Sequence, residues 1–115
     1  MNTNDTLKQN PNLVTRSGRR IHLMHDRSNR RSFGYTVEPD GRNVHIRAAK
    51  AECSDRDRFN KKTALIIVRT RLDSGPVGSN VNKVFESTIA MPEPSTAQEW
   101  RELDQTVMQL ADLRL

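Results

Sequence analysis

Residues 30–51 read RRSFGYTVEPDGRNVHIRAAKA, and this stretch decides the fold. Phe33, Tyr35 and Val37 alternate with Ser32, Gly34 and Thr36, and Val44 and Ile46 resume the same two-residue period as far as Ala51. Side chains repeat their direction every second residue only in extended backbone, so both halves read as strands with one apolar face. Between them Pro39-Asp40-Gly41 supplies turn chemistry, which closes the pair into a hairpin. Upstream, Ile21 and Leu23 alternate with His22 and Met24 before a turn-like segment at residues 26–29. A three-stranded antiparallel meander follows.

Downstream, Ser54 and Asp57 have capping-box spacing, with Asp in place of the usual Glu, and Asp55 and Asp57 suit the positive end of a helix dipole. Phe59, Thr63, Ile66 and Thr70 then form the stripe of a middle helix that Gly75-Pro76 stops. The run Leu65-Ile66-Ile67-Val68 is apolar all round and rich in β-branched residues, so a buried strand over residues 63–70 is the alternative. Residues 73–82, DSGPVGSNVN, form a loop, and residues 83–90 a fourth strand around Val84, Phe85 and Ile89. Pro92 and Pro94 end it. Ser95 with Gln98 then caps a last helix on which Trp100, Leu103, Val107 and Leu110 follow 3-4-3 spacing. The expected fold is α+β: a small antiparallel sheet of about four strands with a middle helix and a C-terminal amphipathic helix, in a single domain over residues 16–115. Residues 1–15, polar and broken by Pro11, form a flexible N-terminal arm.

Charge is divided unevenly along the chain. Residues 1–72 hold 16 Lys and Arg against 7 Asp and Glu, whereas residues 73–115 hold 3 against 7. A basic body attracts polyanions, and an acidic end competes for the same surface or recruits another partner. No apolar run has the length of a membrane span, and the first residues lack the layout of a signal peptide. With one cysteine, Cys53, no internal disulfide is available, so a cytoplasmic setting is expected.

The chemistry of an enzyme is not indicated. His22 and His25, three apart on a strand, point to opposite faces, and with His45 and Cys53 they make no metal-ligand pattern. No serine or cysteine stands at motif spacing from a histidine, and Gly75 and Gly78 lack the Lys-Ser/Thr of a phosphate loop. No cofactor or metal is expected.

The binding chemistry is more specific. On a strand Arg31, Phe33 and Tyr35 share one face, and aromatic rings beside guanidinium groups offer stacking surfaces for bases together with phosphate contacts. With so few aromatics in the chain, the same two rings also fit the core of a half-buried strand. Arg19, Arg20, Arg27, Arg30, Arg42, Arg47, Lys61 and Lys62 extend the positive track. The Trp100, Leu103, Val107 and Leu110 face is assigned either to the protein's own sheet or to an interface between copies, since a short chain with few aromatics gains from sharing a core. The expected function is non-enzymatic binding of single-stranded nucleic acid with little sequence specificity, by a homo-oligomer. The alternative is a protein-binding inhibitor or modulator of a host enzyme, acting through the last helix. DNA and RNA are not distinguished by these residues.

The segment Cys53-Ser54-x-x-Asp57-x-Phe59-Asn60-Lys61-Lys62, followed by Arg71-Leu72, resembles a stretch of small bacteriophage accessory proteins of poorly defined function. The resemblance covers about twenty residues and departs where residues 63–68 replace a Gly-Arg pair. It implies a phage protein made in the cytoplasm of an infected bacterium. The layout, a basic body with an acidic amphipathic end, is also similar to that of phage single-stranded-DNA-binding proteins.

Overall fold

The computed structural model describes residues 13–52, 60–74 and 83–115. In chain order they form β1 (His22–Asp26), β2 (Arg31–Asp40), β3 (Asn43–Glu52), α1 (Lys61–Ser74), β4 (Val84–Ile89) and α2 (Ala97–Arg114). The strands make one sheet in the order β1-β2-β3-β4, each antiparallel to the next. The α+β architecture expected from the sequence is the one observed. Among the described residues, no helix is long and apolar enough to cross a membrane.

The central hairpin turns later than its Pro-Asp-Gly suggests. β2 runs through Pro39 and Asp40, and Asp40 pairs with Asn43, so the loop is Gly41-Arg42. Gly41 has φ 64, the positive value that the first position of a tight hairpin turn requires. Pro39 is tolerated because β1 pairs with β2 only as far as Tyr35, leaving β3 as the sole neighbour there.

Alternation along the strands sends two sets of side chains in opposite directions, and a helix covers each. Phe33, Tyr35, Val44, Ile46, Ala48 and Phe85 pack with Leu103, Val107 and Ala111 of α2. On the other face Ile21, Ala49, Ala51 and Val84 pack with Ala64, Val68 and Leu72 of α1. The result is helix, sheet, helix, an unusual arrangement for an antiparallel sheet, which commonly leaves one face wet.

The ambiguous run is a helix. Its buried stripe is Ala64, Val68 and Leu72, four apart, and the expected stripe is corrected: Thr63 and Thr70 are exposed and Ile66 is 54% exposed. Gly34 explains the choice, because a Cβ there would collide with Val68 Cγ1, so the glycine opens a notch that the helix fills. Thr70 turns its hydroxyl back to the Ile66 carbonyl at 2.9 Å and needs no buried partner. Asn60 caps α1, its Oδ1 accepting from the Lys62 and Thr63 amides at 2.9 and 3.2 Å. Ser54, Asp55, Asp57, Phe59 and Cys53 lie outside the described residues, as do Gly75 and Pro76.

The cap of α2 sits one residue later than expected. Thr96 accepts from the Glu99 amide at 3.1 Å while Glu99 Oε1 receives the Thr96 amide at 3.2 Å, a complete capping box. Gln98 instead donates along the helix to Glu102. Leu13, Val14 and Thr15 pair back on residues 19–21, with the Ile21 amide donating to the Leu13 carbonyl at 2.8 Å, and Arg69 Nε ties the Val14 carbonyl to α1 at 2.8 Å. Residues 1–12 lie outside the described residues.

Candidate nucleic-acid interface

The basic residues singled out in the sequence separate into three places. Arg27 and Arg30 lie in the β1–β2 turn, and Lys61 and Lys62 open α1. Asp26 builds this turn: its carboxylate accepts from Asn29 Nδ2 at 2.8 Å and from Arg31 Nε at 3.1 Å, and Arg30 closes it with φ 54. Asn29 first, then Arg31, hold the Asp26 carboxyl below its usual range. Arg31 is already committed, bound to Asp112 at 2.6 Å as well as to Asp26, with its guanidinium 5.0 Å from the Phe33 ring centre.

The turn and the helix start both act on His25: burial first, then the charges of Lys61 and Arg27, push its pKa down. Among the described residues, no carboxylate pairs with Arg27, Lys61 or Lys62, and the first turn of α1 holds no acid. Lysines rather than acids at a helix N-terminus add to the positive end of the dipole instead of offsetting it. His25 Nδ1 lies 2.7 Å from Ser32 Oγ, a pair that the spacing in the sequence did not disclose. Ser32 is fully buried, so that hydroxyl meets no substrate and the pair ties β1 to β2.

Arg19, Arg42 and Arg47 belong to the other end of the sheet. Arg19 pairs with Glu38 at 2.9 Å, and Arg47 donates to the Leu72 carbonyl at 2.9 Å at the end of α1. Around them Arg16, Arg19 and Arg47 face Glu38, Asp73 and Glu86 across a cleft of about 270 Å³. Its charges are balanced, so it offers no general attraction to a polyanion.

Arg20 stands apart, in a cleft of about 400 Å³ beside the start of β1, with Leu13, His22, Trp100 and Asp104. His22 stacks on Trp100, ring centres 4.2 Å apart, and its pKa is lowered to about 4 by burial first and the Arg20 charge second. Tyr35 donates its hydroxyl to Asp104 at 2.5 Å, and burial followed by that bond keeps the phenol protonated well above its ordinary range. In the sequence Trp100 belongs to a face for the protein's own sheet or for an interface between copies, His22 is weighed only as a metal ligand and Asp104 is not singled out, because strand β1 and helix α2 are far apart in the chain.

Two expectations are corrected by burial. Phe33 and Tyr35 are 1% and 0% exposed, so neither ring is a platform for bases; α2 lies on them. Leu103 and Val107 are both 0% exposed within one chain, and Trp100 and Leu110 pack at the border of the same core, so this face is not free to join two copies. The histidines diverge: His22 meets Trp100, His25 meets Ser32 and His45 meets Glu86 at 3.3 Å. Among the described residues, no three His, Cys, Asp or Glu side chains gather as metal ligands. No family model matches the chain, and no curated protein or solved structure matches it either.

Proposed function

We propose that the protein is a non-enzymatic binder of single-stranded nucleic acid that grips the phosphate backbone with little regard to sequence. One observation carries the reading: Arg27 in the β1–β2 turn and Lys61 at the start of α1 both act electrostatically on His25, Lys62 follows Lys61 in the chain, and none of the three has a described carboxylate partner. Uncompensated cations on a compact surface release counterions from a polyanion when they bind it, which favours association irrespective of base identity. The last helix presents no basic face to a duplex groove, since it carries Glu99, Glu102, Asp104 and Asp112. A flexible single strand can bend to a patch of this size. The resemblance to phage accessory proteins supports an origin in a phage and action in the cytoplasm of its host. The alternative, modulation of a host enzyme through the last helix, draws less support, since Leu103 and Val107 are buried in the protein's own core.

The test is a titration of the full chain against a labelled single strand, a duplex and an RNA at two salt concentrations. Affinity for the single strand should fall with salt, with a logarithmic slope of about −0.7 for each phosphate neutralised. Replacing Arg27, Lys61 and Lys62 by Ala should flatten that slope. Absence of binding at low salt refutes the reading.

A further inference from the structure

The cleft beside β1 has no role in phosphate binding as described above, yet it combines features that a phosphate grip lacks. β1 is an edge strand, and Leu13 pairs with Ile21 on the side away from β2. The cleft opens there, between the strand edge and α2, with a volume of about 400 Å³. Its wall is the His22–Trp100 stack, in which the indole is only partly buried. At its border stand one exposed cation, Arg20, and one acceptor-only group, the Asp104 carboxylate, held in place by the Tyr35 hydroxyl.

We propose that this cleft receives one base of the bound strand, preferentially a base with an exocyclic amine. The proposal rests on the reading of the basic turn as a phosphate grip and adds a second contact to it. A planar ring entering the cleft would lie against the exposed part of the Trp100–His22 stack, the sequence-tolerant contact that single-strand binders use. Asp104 accepts hydrogen bonds and cannot donate, so it meets the amine of cytosine, adenine or guanine, whereas thymine offers it only an N3–H flanked by two carbonyls that a carboxylate repels. Arg20 is positioned for the adjoining phosphate. Continuity argues for one ligand: β1 runs from the cleft at His22 to the basic turn after Asp26, five residues at about 3.4 Å each, or roughly 17 Å. A strand of a few nucleotides laid along this edge reaches both. The cleft thereby replaces the stacking surface that Phe33 and Tyr35, buried under α2, do not provide.

Trp100 is the only tryptophan, so its emission reports the cleft directly. The full chain is titrated with oligocytidine, oligothymidine and an abasic strand of the same length, about 10 nucleotides each, following both Trp100 emission and the anisotropy of an end label. Oligocytidine should change the emission and bind about tenfold more tightly than the abasic strand, with oligothymidine weaker than oligocytidine. Asp104→Asn, which keeps an acceptor for Tyr35, should erase the preference for cytosine, and its folding is checked by circular dichroism. Equal anisotropy curves for all three strands with an unchanged emission would overturn the base pocket and leave the phosphate grip standing. Binding of none of them at low salt overturns both.

Discussion

The Tyr35 hydroxyl and the Asp104 carboxylate, 69 residues apart in the chain, meet at 2.5 Å and tie the second strand to the last helix. The phenol ring is fully buried while the carboxylate reaches the cleft, so the bond joins the core to the surface on which Trp100 sits. Tyr35→Phe keeps the ring and removes the donor. A charge-assisted bond of this kind contributes about 1.5–3 kcal/mol, and urea denaturation should show a loss in that range. A neutral result would mean that solvent replaces the hydroxyl at Asp104 without cost.

Leu103 and Val107 belong to the protomer's own core, and this distinguishes two outcomes of the same substitution. Leu103→Asp places a carboxylate among Phe33, Tyr35 and Ile46 and should abolish the cooperative thermal transition. The milder Leu103→Ala should cost about 2–5 kcal/mol. A folded Leu103→Asp monomer derived from a wild-type dimer, seen by light scattering and circular dichroism, would restore the interface assignment.

Gly34 and Val68 form a notch and its filling. A Cβ at Gly34 would strike Val68 Cγ1 and come to 3.1 Å from Ile21 Cγ2. Gly34→Ala should therefore destabilise by about 1–3 kcal/mol. The double variant Gly34→Ala with Val68→Ala should recover part of that loss relative to the sum of the single effects, measured by a double-mutant cycle in urea. Strict additivity would show that the helix shifts away instead.

Folding stability should depend on pH through His22. In the folded chain burial, and then Arg20, lower its pKa to about 4 from an ordinary 6.5. The unfolded chain takes up a proton that the folded chain refuses, so stability is full above the unfolded value, falls as pH drops from there, and levels off below the folded value. Allowing for the partly exposed ring, the loss is about 2 kcal/mol. Denaturation curves of wild type and His22→Gln across this window check it, because the variant should lack this part of the slope.

Arg30 closes the β1–β2 turn with φ 54, a left-handed conformation that costs a non-glycine residue about 1–2 kcal/mol. Arg30→Gly should relieve that strain and raise the melting temperature while weakening binding to a single strand at low salt. Weaker binding with no gain in stability would indicate that the side chain's own contacts in the turn offset the strain.

Elements whose signals are local are legible in the amino-acid order alone. Two-residue alternation in residues 33–37 and 44–46 fixed the hairpin, and the spacing of Trp100, Leu103, Val107 and Leu110 fixed a helix with one apolar side, because each period belongs to a single backbone geometry. It also placed Arg31, Phe33 and Tyr35 on one face. What lies on that face was not local information: alternation says which side chains travel together, and only packing says what covers them. Here a helix on each side removed Phe33 and Tyr35 from solvent and spent the apolar face of α2 within the chain. The identity of α1 was decided in the same way, since Leu65-Ile66-Ile67-Val68 suits strand and helix alike until Gly34 offers a notch to Val68. The basic end and the β1 cleft required the fold as well. Lys61 and Arg27 both act on His25, and Trp100 meets His22, because packing of the helices on the sheet brings distant segments together, a relation that spacing along the chain does not carry.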